Sequence, residues 1–70
     1  MKYTFHILGD GCELDAATQE FKSPEEAEAH AVRLANALAR DETYLGCEVS
    51  VVDSRSIELA RVPVARLGDA

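Results

Sequence analysis

Few side chains in this sequence have types that could do chemistry. His6 lies in the stretch Lys2 to Leu8, KYTFHIL, and strand pairing would put Glu48 or Glu58 across from it. An imidazole beside a carboxylate can hold or move a proton, or begin a metal site. One such pair is too little for either: no second histidine lies nearby in sequence, no Ser-His-Asp order appears, and a single-layered sheet offers no closed cleft. No catalytic, cofactor-binding or metal residues are therefore expected. A small-molecule or metal-binding protein, or a minor enzyme, using His6 with Glu48 or Glu58 is the alternative reading. Cys12 and Cys47 have no metal-ligand spacing and read as free thiols in a reducing compartment, Cys47 inside a strand and Cys12 by a turn. Gly9-Asp10-Gly11 is a turn signal. It lacks the remaining glycines and the Lys-Ser/Thr of a phosphate loop, and Asp10 and Glu13 would repel the anion. Residues 10–15 also lack the alternating oxygen ligands and distal Glu of a calcium loop. His30, four residues after Glu26, reads as a boundary histidine in an i,i+4 pair.

The element that must position these groups is SPEEAEAHAVRLANALAR, residues 23–40. Ser23 is a preferred N-cap, Pro24 suits the first helical position, and Glu26 completes a capping box. Glu25, Glu26 and Glu28 favour the positive end of the helix dipole, and Arg40 the negative end. The spacing predicts a helix over about 24–40, with Ala27, Ala31, Leu34 and Leu38 in one stripe and Ala35 on its flank. Before it, Tyr3, Phe5 and Ile7 alternate with Thr4, His6 and Leu8, so the larger set aims at the helix. Glu13 to Lys22 should return as a short strand, broken at Ala16-Ala17-Thr18-Gln19 and suited to an edge. After the helix, Leu45 to Asp53 alternates, with Leu45, Cys47, Val49 and Val51 inward. Ile57 to Val62 follows as the fourth strand, and Ile57 and Leu59 share Val51's face only through an odd-length loop or a bulge. Pro63 suits an edge or a strand end. The expected fold is α+β, ββαββ, a four-stranded antiparallel sheet in the order 2-1-3-4 with the helix on one face. Residues 1–64 form one domain. The chain frays from Val64 onward, 65–70 forming a tail with Leu67 as its docking residue.

A chain of 70 residues buries only roughly 60% of its unfolded surface and gains from association. Its net charge of −6, from 13 acidic and 7 basic residues, repels phosphate backbones and anionic lipid, so nucleic-acid and membrane partners are not expected. No apolar run approaches a membrane span, and the N-terminus lacks a signal-peptide pattern, which makes the cytoplasm the expected location.

The opening Tyr3-Thr4-Phe5-His6, Asp10-Gly11, Asp15, an alanine-rich helix, a Val-x-x-x-Asp leading into a turn and Val62-Pro63-Val64 together resemble a family of small rhizobial and α-proteobacterial proteins of unknown function that open with Tyr-x-Phe-His. The resemblance spans most of the chain. Members of that family carry glycine in the last hairpin turn, where this chain has Ser56. They also carry glycine before the second strand's apolar end, where it has Thr18 or Gln19. The resemblance implies no activity and no catalytic residues.

In this fold one sheet face lacks a helix. The residues expected on it are Thr4, His6, Leu8, Glu48, Ser50, Val52, Glu58, Ala60 and Val62. With four aliphatics among them in so small a chain, the sequence points to a noncatalytic interaction module that binds a protein partner or self-associates as a homodimer, through this face or a sheet edge. A nucleic-acid regulator using the sheet as a platform would need basic and aromatic residues there.

Overall fold

The structure, a computed structural model, describes residues 1–65. In chain order it contains β1 (Lys2–Gly9), β2 (Cys12–Glu20), α1 (Pro24–Leu38), a 3-10 turn (Glu42–Tyr44), β3 (Glu48–Val52) and β4 (Glu58–Pro63). The strands form one antiparallel sheet in the order β2-β1-β3-β4. This is the ββαββ arrangement that the sequence predicts. The apolar strands β1 and β3 take the middle because only there can both sides of the ladder be paired and one face be roofed.

Asp10 and Gly11 both have positive φ, 50° and 78°, which is the two-residue hairpin turn that suits the twist of β1 and β2. At the helix start, Ser23 Oγ accepts from Glu26 N at 3.3 Å, and Glu26 Oε1 accepts from Lys22 N at 2.9 Å. Glu26 thus serves the helix entry rather than His30. The His30 ring instead packs on Phe5 and Phe21, at centroid distances of 4.9 and 5.1 Å. The helix stops at Leu38, two residues early, because Arg40 N and Asp41 N tighten onto the carbonyls of Ala37 and Leu38.

Tyr3, Phe5, Ile7, Cys47, Val49 and Val51 from the sheet meet Ala27, Ala31 and Ala35 from α1 to make the core. The buried helix positions are all alanines, spaced four apart, while Leu34 and Leu38 are half-buried at the side. Small side chains let the helix backbone approach a sheet already filled by aromatic rings and valines. The helix lies over β3 and β4, while Phe21 and His30 extend its cover onto β1.

Three expectations need correction. β2 is neither short nor broken: it is the longest strand, nine residues paired with β1 along its length, and its small residues offer no obstacle to a ladder that runs on from a tight turn. Val64 is not frayed. It is buried, its N–H donates to Cys47 O at 2.9 Å, and its carbonyl accepts from Gly46 N at 3.2 Å, prolonging the β3–β4 ladder. Residues 66–70, with the proposed docking of Leu67, lie outside the described residues.

The third correction concerns faces. Val49 pairs with Val62 and Val51 with Ala60, so Ala60 and Val62 lie on the helix side with those core valines. Glu58 pairs with Val52, leaving Leu59 as an extra residue in a β-bulge. Leu59 does pack on the core, but Ile57 stays 51% exposed and takes no part in it. The bulge exchanges the faces beyond it, and Arg61, opposite Ser50, occupies the open face.

Candidate functional site

The open face is built from alternate residues of four strands. β1 gives Thr4, His6 and Leu8; β3 gives Val52, Ser50 and Glu48 as their direct partners. β2 adds Thr18 opposite Thr4 and Ala16 opposite His6. Of the nine residues expected on this face, the structure brings together seven and turns Ala60 and Val62 to the other side.

A second bulge decides where His6 finds its carboxylate. Ile7 pairs with Asp15 but Leu8 pairs with Glu13, so Leu14 is extra; Ala16 rather than Asp15 stands opposite His6, and Glu13 lies on the open face across from Leu8. There Glu13 Oε1 pairs with His6 Nδ1. Glu48 and Glu58 are committed elsewhere. Arg61 donates to Glu58 Oε1 at 2.8 Å and to Glu48 Oε1 at 3.2 Å, and Ser50 Oγ donates to Glu58 Oε1 at 2.8 Å. The expected His6–Glu48 or His6–Glu58 partnership is thus replaced by His6–Glu13. Thr4 and Thr18 hydroxyls meet at 3.1 Å.

These contacts set the electrostatics. Arg61 first, then the Ser50 hydroxyl, hold the Glu58 carboxyl below its usual range, and Glu58 and Glu48 in turn raise Arg61. Ser50, only 4% exposed although no helix covers it, sits beneath the Glu58–Arg61 pair. The charged groups of β3 and β4 are mutually satisfied. That is the behaviour of a solvated surface, and it has too few free aliphatics to resemble half of a core. Glu13 and Arg61 were the residues that sequence reasoning missed. The Asp10-Gly11 turn held a signal for Glu13, since a two-residue turn sets Cys12 against Gly9 and Glu13 beside Leu8.

Among the described residues no group of three or more His, Cys, Asp or Glu side chains is placed to hold a metal ion. No helix there is long and apolar enough to cross a membrane.

The sheet also has two edges, and they differ. β4 carries a bulge at Leu59 and ends on Pro63, which has no N–H to offer. β2 is exposed at all nine positions on both faces. Residues 2–65 match a domain of unknown function, DUF6894. The chain belongs to the DUF6894 family. No curated protein and no solved structure matches it.

Which backbone groups the DUF6894 chain presents along β2 follows from the ladder. Met1 N donates to Phe21 O at 3.0 Å and Phe21 N to Met1 O at 2.9 Å, a doubly bonded pair. Bonded and non-bonded pairs alternate in an antiparallel ladder. Tyr3–Gln19, Phe5–Ala17 and Ile7–Asp15 are therefore bonded pairs, and Thr4–Thr18 and His6–Ala16 are not. The N–H and C=O groups of Ala16, Thr18 and Glu20 consequently point outward. The Ala16 N–H shows it directly, by donating to Asp15 Oδ1 at 2.8 Å rather than to β1.

Proposed function

We propose that this DUF6894 chain is a noncatalytic protein-interaction module, and that its binding element is the outer edge of β2. The supporting observation is a nine-residue strand, exposed throughout and, among the described residues, paired on one side only, while the helix lies over β3 and β4. A partner segment can extend such a sheet by main-chain hydrogen bonds, with side chains on alternate faces giving specificity. The open sheet face is the weaker surface for this role. Two of the four aliphatics expected there face the helix, and its remaining charges are paired. The enzyme reading loses support in the same way, since Glu48 and Glu58 both serve Arg61.

A displayed library of extended ten-residue peptides, selected on the wild-type chain and on Thr18→Pro, tests the reading. Proline at 18 removes an outward N–H and leaves the β1 ladder intact, so true edge binders are lost. Binders that ignore Thr18→Pro but vanish when His6 or Arg61 is changed would place the interaction on the open face instead, and an empty selection would refute the module.

A further inference from the structure

We infer that the segment joining β2 is a cationic extended peptide, added as a fifth strand with a lysine or arginine beside Asp15. This rests on the edge reading above and adds the chemistry of the partner. Cys12–Glu20 carries Glu13, Asp15 and Glu20 and no cation. Behind it, on the open face, Glu48 and Glu58 share the single Arg61. An arriving strand therefore meets its least compensated negative charge at Asp15 near the hairpin turn, since Glu13 pairs with His6 and Glu20 stands across from Lys2.

Asp15 makes the selection sharper. Its Oδ1 occupies the outward N–H of Ala16, one of the donors an added strand would use. A neutral strand must displace that carboxylate and leave it to water alone, and an acidic strand must also overcome repulsion. A cation in register draws the carboxylate off the N–H and pairs with it, so opening the edge and binding it become one event. Space is present on both faces, because α1 lies over β3 and β4 and all of β2 is exposed. A second copy of the chain fits less well. Antiparallel β2–β2 pairing about Ala17 matches Ala16 with Thr18, but it sets two carboxylate-bearing strands and two guarded Ala16 N–H groups against each other.

Three ten-residue probes alternating valine with lysine, glutamate or threonine, titrated into the isotope-labelled chain, test this. The readout is the dissociation constant together with exchange protection at the Thr18 and Glu20 amides. The lysine probe is expected to bind roughly tenfold or more tighter than the glutamate probe, to protect both amides, and to weaken as salt rises. Asp15→Asn, checked by melting for an intact fold, should lose several-fold of that preference. If the threonine or glutamate probe protects the same amides equally well, or if high salt makes the chain itself dimerise with that protection, the cationic partner is wrong and the edge stands. If no probe protects Thr18 and Glu20, or Thr18→Pro binds the lysine probe as tightly as the wild type does, both the inference and the edge reading fall.

Discussion

Two neighbouring proline substitutions separate the outward and inward backbone of β2. At Thr18 the N–H points to solvent, so Thr18→Pro breaks no bond to β1. It loses the exposed Thr4–Thr18 hydroxyl contact, worth about 0.2–1 kcal/mol. Restricting the unfolded chain returns about 0.4–1 kcal/mol where proline fits the backbone. The net change should lie within about 1 kcal/mol of zero. At Gln19 the N–H belongs to the bonded pair with Tyr3, a residue only 2% exposed. Gln19→Pro removes that bond and strands the Tyr3 carbonyl, for about 2–4 kcal/mol in total. Against the roughly 4–10 kcal/mol expected for a domain of this length, that is a large fraction. Urea unfolding followed by circular dichroism measures both. Equal losses, or a greater loss at Thr18, would show that the assigned direction of the β2 backbone is inverted, and the edge argument would go with it.

Other outcomes follow from single sites. Ser56 sits at φ 64°, a conformation costing a non-glycine residue about 1–2 kcal/mol. Ser56→Gly should raise the melting temperature by a few degrees, and a fall would show that the turn does not hold that conformation. A Cβ at Gly9 would meet Cys47 Sγ at 2.8 Å and Leu14 Cδ1 at 3.2 Å. Gly9→Ala should destabilise by about 1–3 kcal/mol, and much less in a Cys47→Ala background; additive losses in that double-mutant cycle would exclude the contact. Asp53 is held below the usual carboxylate range, first by the Ile57 N–H and then by Arg55, and Glu58 first by the Arg61 side chain and then by Ser50. Folded values below unfolded ones mean that the stabilisation is complete above the ordinary carboxylate range and is lost as pH falls through the folded values. Urea midpoints should therefore drop in acid, and less steeply in Asp53→Asn; parallel curves would remove Asp53 from the account.

The sheet order was legible because polarity and proline marked the edges: β2 has few large apolar residues and β4 ends on Pro63. The helix was legible from Ser23, Pro24 and the alanine spacing. What escaped were the extra residues at Leu14 and Leu59. Alternation assumes one residue per step, and each bulge adds one without any glycine or proline to announce it. Moving Ala60 and Val62 inward, Arg61 outward and Ala16 into Asp15's place opposite His6 are consequences of those two insertions. Val64 looked frayed because Pro63 suggested an end, yet the Val64 N–H lies beyond the proline and still reaches Cys47.

The centre of the sheet is assembled from the two halves of the sequence. β1 finds β2 across a two-residue turn, but its other neighbour is β3, and Phe5 meets Val51 only after the helix has been spelled out. A chain emerging from the ribosome can zip its first hairpin at once, yet Tyr3, Phe5 and Ile7 keep one flank bare until β3 has been made. For that interval the nascent domain offers its aromatic strand to any chaperone or any stray hydrophobic chain nearby, and completion of β3 is what ends the exposure.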